Sequence, residues 1–170
     1  FSTENWNRSK KEILNLQSLL KFYLDSEEET FIKERIKFSF IGNIDKFDNK
    51  IKNKLNNLQE KTNEFNNLNF TLALSYGSRV EIVDAINKMN KNNEEITELS
   101  ISQNLMTNNY PDPDLIIRTS GEMRLSNFLL WQAAYSELYF TKTLWPEFTS
   151  YKYILALKNY VNRKRRFGGD

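Results

Sequence analysis

Arg118, Arg124, Ser126 and Glu137 fall within one segment, Asp114-Leu-Ile-Ile-Arg-Thr-Ser-Gly-Glu-Met-Arg-Leu-Ser-Asn-Phe-Leu-Leu-Trp-Gln-Ala-Ala-Tyr-Ser-Glu137. Side chains of these types suit one chemistry in particular. Planar guanidinium groups grip phosphate oxygens through paired hydrogen bonds. A serine at a helix start adds a hydroxyl and nearby backbone N–H groups, and a carboxylate offers oxygen to a divalent metal. The segment reads as a cradle for a diphosphate and its metal ion. Taken alone, Arg118 and Arg124 are as consistent with surface ion pairs to Asp112, Asp114 or Glu122. A lone glutamate such as Glu137 more often faces solvent.

The elements that must hold these residues are legible from periodicity. Leu115 to Ile117 is a short apolar run with the character of a buried parallel strand, and Thr119-Ser120-Gly121 breaks it. Residues 128–138 are apolar enough for a core helix, which puts Ser126 at its start and the two arginines at the mouth of the strand. Upstream, residues 10–36 carry Ile13, Leu16, Leu20 and Leu24 as a helical stripe. Residues 36–41 alternate like a strand and stop at Gly42, and residues 49–65 place Ile51, Leu55 and Leu58 at helical spacing. Residues 70–77 predict a second strand. Ser78 and Glu81 have capping-box spacing for a helix through Met89. Residues 96–106 predict a short helix, and residues 108–113, with two prolines, an irregular stretch. Residues 137–145 have strand character, and residues 151–161 predict a last helix.

Strands separated by helices imply an α/β fold with an open, mostly parallel sheet flanked by helices. Ligands in such sheets bind beyond the carboxyl ends of the strands, where residues 2–5, 75–77 and 118–121 are expected to emerge on one rim.

Composition limits the chemistry. The chain has 170 residues, 39% of them hydrophobic, which suits a single domain over 1–170. Its 24 basic and 22 acidic residues give a net charge of only +2, which argues against nucleic acid as a partner. With neither cysteine nor histidine, thiolate and imidazole sites are excluded, and carboxylate oxygen, suited to Mg²⁺, is what remains for a metal. No apolar run approaches the roughly 20 residues of a membrane span, so the expected location is cytoplasmic.

Four ordered segments carry a family resemblance. Phe1-Ser-Thr-Glu-Asn-Trp-Asn-Arg8, Leu74-Ser-Tyr-Gly-Ser-Arg79, the Asp114 to Glu137 segment and Arg165-Arg-Phe-Gly-Gly169 resemble successive signatures of the cis-prenyltransferase (isoprenyl transferase) family. That family is distinct from the helical-bundle trans-prenyltransferases. The resemblance implies Mg²⁺-dependent, repeated condensation of isopentenyl diphosphate with an allylic prenyl diphosphate such as farnesyl diphosphate. The product it implies is a long-chain polyprenyl diphosphate such as undecaprenyl diphosphate.

By the same resemblance, Arg118, Arg124, Leu125 and Ser126 hold the isopentenyl diphosphate headgroup, and Glu137 is a Mg²⁺ ligand. Asn5 is placed at the proton-loss step, with Ser2, Thr3, Glu4, Trp6 and Arg8 contacting substrate. An amide is a poor base, so Asn5 is read as orienting or relaying. The resemblance further implies a homodimer in which the tail of residues 165–169 reaches the partner's site, and peripheral membrane association through the product.

The family also has an Asp-Gly-Asn-Gly-Arg-Trp-type segment whose aspartate coordinates Mg²⁺. No such segment occurs here, and the chain starts at Phe1 in what reads as the end of a strand. The expectation is a chain truncated at its amino terminus and inactive in this form. Ser120 stands where some relatives have glycine. Two other readings stay open: a non-catalytic partner subunit of a heteromeric prenyltransferase, and a binding module for a phosphorylated ligand.

Overall fold

The computed structural model describes residues 1–164 of the chain. These residues belong to two compact units, Phe1–Thr107 and Asn108–Asp170.

In the first unit, α1 (Lys10–Ser26) and α2 (Glu28–Lys33) are followed by β1 (Ile36–Ile41), α3 (Asn49–Thr62), β2 (Leu68–Ala73), α4 (Ser78–Lys91) and α5 (Glu98–Asn104). β1 and β2 pair in parallel, with Ile36 opposite Leu68 and Ile41 opposite Ala73. A parallel pair needs a crossover, and α3 supplies it. Its Ile51, Leu55, Leu58 and Thr62 recur at steps of four and three residues, so one face is buried while the Lys and Asn residues stay wet. That face packs with Leu24, Phe38, Phe47 and Leu74 into the core. Thr62 is polar but satisfied: its Oγ1 donates to Leu58 O (2.8 Å) and accepts from Phe38 N (3.0 Å).

The amino-terminal residues extend this sheet. Phe1 N donates to Ala73 O, Tyr76 N donates to Phe1 O, and Thr3 N donates to Tyr76 O, so that Ser2 forms a parallel bridge with Tyr76. Phe1, expected to read as the end of a strand, is not itself in one; an isolated bridge forms at Ser2 beside it.

In the second unit, β3 (Leu115–Arg118) and β4 (Glu137–Phe140) also pair in parallel, and α6 (Ser150–Val161) follows. Each unit thus contains a two-stranded parallel sheet with helices, in agreement with the α/β class expected.

Several elements differ from their sequence reading. The helix expected over residues 10–36 is interrupted at Glu27 and ends at Lys33, followed by Arg35 at φ 52°. α5 is shorter than the expected 96–106, and β2 ends at Ala73 rather than Gly77 because Ser75 turns at φ 50°. β4 ends at Phe140, and a 3₁₀ turn occupies Trp145–Glu147. The largest difference is at residues 128–138, where turns replace the expected helix. Ser126, Asn127 and Leu129 have φ of 49°, 62° and 48°, a left-handed backbone that a right-handed helix cannot propagate through.

Candidate functional site

The first unit brings several expected site residues together beyond the carboxyl ends of its strands. A 3₁₀ turn, Thr3–Asn7, follows the bridge at Ser2. Asn5 Oδ1 accepts from Ser2 N at 2.7 Å, which fixes the amide so that its Nδ2 is the group left to meet a ligand. Nδ2 makes no hydrogen bond among the described residues. Trp6 is half-buried: its ring meets Phe1 and Phe47 edge to face, and its Nε1 donates to Ser75 Oγ at 2.8 Å. Thr3 Oγ1 bonds Glu4 Oε2 at 3.0 Å, while Glu4 and Arg8 are exposed.

A cleft of about 190 Å³ opens here, with Thr3, Trp6, Asn43, Lys46, Glu81 and Asp84 among its walls. Lys46 Nζ lies 5.7 Å from the centre of the Trp6 ring, so a cation and an aromatic face share the cleft.

Glu81 is a residue that sequence reasoning assigned the wrong role. Gly77 is the residue that precedes α4, Ser78 lies inside the helix and is buried, and no side-chain cap forms. Glu81 is only 2% exposed. Its Oε2 accepts from Tyr76 Oη at 2.5 Å and its Oε1 from Met106 N at 3.0 Å. Tyr76 is the residue that pairs with Ser2, so the buried carboxylate steadies the strand on which Asn5 depends. A glutamate three residues after a serine carries the same sequence signal in either role, and only the identity of its partners separates them.

In the second unit the expected residues are spread along the sheet. Arg118 ends β3 opposite Phe140, is half-buried, and its guanidinium has no hydrogen bond or ion pair among the described residues. Arg124 is exposed and pairs with Glu122, one of the partners its bland reading named. Leu125 is half-buried, and Ser126 lies in a turn at φ 49°, not at a helix start. The backbone N–H groups of Ser120 and Gly121 donate to Thr143 O and Thr141 O, both at 2.8 Å, and are not available to an anion.

Glu137 opens β4 opposite Leu115, three positions along the ladder from the Arg118–Phe140 pair. At roughly 3.3 Å per residue that separates the two backbone positions by about 10 Å along the sheet. Glu137 Oε2 accepts from Arg163 Nη1 at 2.6 Å. Its Oε1 has no partner among the described residues. Mg²⁺ is commonly held by one or two carboxylates plus substrate phosphates, and a single carboxylate with one open oxygen fits that pattern. Among the described residues no group of three acidic side chains forms a metal cage. The expected tail, residues 165–169, lies outside the described residues.

Parallel α/β architecture, with a cleft in one unit that sets Trp6 and Lys46 beside Glu81 and Asp84, and in the other an arginine at a strand end with no partner among the described residues, is compatible with a charged ligand. The comparisons make the class specific. The family model described as putative undecaprenyl diphosphate synthase matches residues 1–168. An isoprenyl transferase of Fusobacterium nucleatum is 46% identical over 170 residues, covering 99% of this chain and 74% of that protein. One from Thermotoga maritima is 47% identical over 174 residues, with 99% and 75% covered. The crystal structure of a probable undecaprenyl diphosphate synthase from Campylobacter jejuni superposes with a TM-score of 0.91 at 39% identity, covering 99% of this chain and 80% of that one. Lavandulyl diphosphate synthase from Lavandula x intermedia, solved with dimethylallyl diphosphate, gives 0.94 at 35% identity, with 99% and 76% covered. The chain belongs to the undecaprenyl diphosphate synthase (isoprenyl transferase) family and is a prenyltransferase.

Proposed function

We propose that the protein lengthens an allylic diphosphate such as farnesyl diphosphate through Mg²⁺-dependent cis addition of isopentenyl diphosphate units. The product is a long-chain polyprenyl diphosphate of the undecaprenyl type. The observation that carries this reading is Arg118, a half-buried residue that ends a parallel strand and whose guanidinium has no partner among the described residues. A cation placed so is open to a ligand oxyanion.

In each cycle the carbon–oxygen bond of the allylic diphosphate breaks, the double bond of isopentenyl diphosphate attacks the allylic carbon, and a proton leaves the new unit. Arg118 and Arg124 hold the isopentenyl diphosphate headgroup, with Ser126 adding a hydroxyl and Leu125 an apolar contact. Arg124 must exchange Glu122 for phosphate to do so. Asn5, anchored through its Oδ1, presents Nδ2 and orients the reacting diphosphate; the proton passes to a phosphate oxygen or water. Ser2, Thr3 and Glu4 shape the turn, and Trp6 and Arg8 border the substrate. Glu137 would be one ligand of Mg²⁺, which would supply neutralisation of charge on the departing diphosphate.

The proposal extends to a homodimer in the cytoplasm that meets the membrane surface through its apolar product. No helix among the described residues is long and apolar enough to cross a membrane. The retention of Asn5, Arg118, Arg124 and Glu137 favours a catalytic chain over a non-catalytic partner subunit.

The test is incubation of the protein, expressed from its complete gene, with farnesyl and isopentenyl diphosphates and Mg²⁺. Longer prenyl diphosphates are expected by thin-layer chromatography or mass spectrometry. Their absence, with both substrates recovered intact, sinks the reading.

A further inference from the structure

Arg163 is fixed more closely than a basic residue at a helix end requires. Asn159, one turn earlier on α6, accepts from Arg163 Nε at 3.0 Å and Nη2 at 2.7 Å through the same Oδ1, which sets the plane of the guanidinium. Nη1 is thereby aimed at Glu137 Oε2, 2.6 Å away. The two side chains are only 30% and 28% exposed, so salt screens them less than an open surface pair. The backbone that carries the carboxylate is fixed too, because Glu137 N donates to Asp114 O at 2.9 Å at the start of β4. A divalent cation arriving at Glu137 therefore meets a fixed positive charge on one carboxylate oxygen and finds the other open.

Arginine and a metal ion cannot use the same carboxylate lone pair, and their like charges repel at such distances. We propose that Arg163 is a displaceable counterion of Glu137. It occupies the carboxylate in the metal-free protein, yields Oε2 when a divalent cation binds, and so sets the affinity of that site. The inference rests on the reading of Glu137 as a metal ligand.

The experiment uses Mn²⁺ alone as probe, with free Mn²⁺ followed by electron paramagnetic resonance, on protein from the complete gene. Arg163→Ala is expected to bind Mn²⁺ on the order of threefold to tenfold more tightly than the parent, since a partly covered ion pair no longer competes. Asn159→Ala, which unfastens the guanidinium but keeps its charge, is expected to fall between them. Glu137→Gln is expected to lose the site in either background. Circular dichroism melts identify a variant that does not fold, and Asn159→Ala then serves as the deciding variant.

Unchanged or weaker Mn²⁺ binding by Arg163→Ala and Asn159→Ala overturns the counterion role. Parent-like binding by Glu137→Gln overturns it as well, by removing Glu137 from the site. Prenyl elongation by the parent protein separates the two ideas. A parent that elongates while its variants bind Mn²⁺ equally well retains the function and loses only the counterion, whereas absence of both elongation and Mn²⁺ binding removes the functional reading as well.

Discussion

A charge half-removed from water and left without a counter-charge has already lost part of its hydration, so the ligand that completes it gains correspondingly. Arg118 is a half-buried residue whose guanidinium has no partner among the described residues, whereas Arg124 is exposed and already paired with Glu122. The two arginines are therefore expected to differ in weight although they bind the same headgroup in the proposed reaction. Arg118→Ala should raise the apparent KM for isopentenyl diphosphate and lower kcat together, a loss of about 2–5 kcal/mol in transition-state stabilisation. Arg124→Ala should cost less, about 1 kcal/mol, because part of the lost contact was an exposed pair. Steady-state kinetics on the two variants decides the order, and equal losses would show that exposure in the free protein does not predict the bound state. Ser120 gives a separate residue-scale test. Its φ of 69° lies in the left-handed region, where a side chain costs about 1–2 kcal/mol. Ser120→Gly should raise the melting temperature slightly. A lowered one would mean that the Ser120 hydroxyl contributes more than its backbone strain removes.

Elements were legible where one period dominated. α3 and β1 follow the sequence reading closely because a single buried stripe or alternating run fixes each of them. Residues 128–138 were misread because apolarity alone does not distinguish a helix from packed turns, and nothing in Ser-Asn-Phe-Leu announces three left-handed residues. Ser126 lost its place at a helix start with that helix. The aromatic and hydroxyl partners of Trp6 and the buried anchoring of Glu81 were not legible either, since Ser75 and Met106 lie far from them or carry no charge pattern. Gly42, by contrast, ends β1 at the predicted place for a physical reason: its φ is 102° and an added Cβ would stand 2.1 Å from Leu74 O. Gly42→Ala must move the strand that leads to Ser75 and Tyr76, and a loss on the order of 3 kcal/mol is expected. Chemical denaturation measures it, and a parent-like midpoint would show that the backbone yields easily there.

The cap of α1 makes a pH-dependent prediction at the same scale. The Ser9 hydroxyl, then the Ser9 backbone N–H, hold the Glu12 carboxyl below its ordinary value of 4.5. A carboxyl depressed on folding stabilises above its unfolded pKa, and the contribution disappears as pH falls through the folded value. The gap in melting temperature between the parent and Glu12→Gln should therefore be present near neutral pH and close as the solution becomes acidic through and below about pH 4. A gap that widens toward acid would contradict the assignment.

At the scale of the molecule, the second unit has little interior of its own. Among its described residues only Ala156 and Gln132 are buried, while Trp145, Leu144, Tyr151, Ile154 and Val161 are exposed. Its sheet has two strands, and a two-stranded sheet is at best marginal in water unless it packs against a helix or further strands. A unit with so little interior is marginal by itself, and we propose that residues 1–170 fold as one domain. The tryptophans allow the proposal to be tested, because Trp6 belongs to the first unit and Trp131 and Trp145 to the second. Two variants, one retaining Trp6 alone and one retaining Trp131 alone, report on the units separately when the other tryptophans are replaced by phenylalanine. Denaturant unfolding followed by fluorescence should give coincident midpoints and slopes in both, matching far-ultraviolet circular dichroism, as a two-state domain requires. A second-unit transition that falls at clearly lower denaturant would show that the second unit melts by itself. The single-domain proposal would then be replaced by two units of unequal stability.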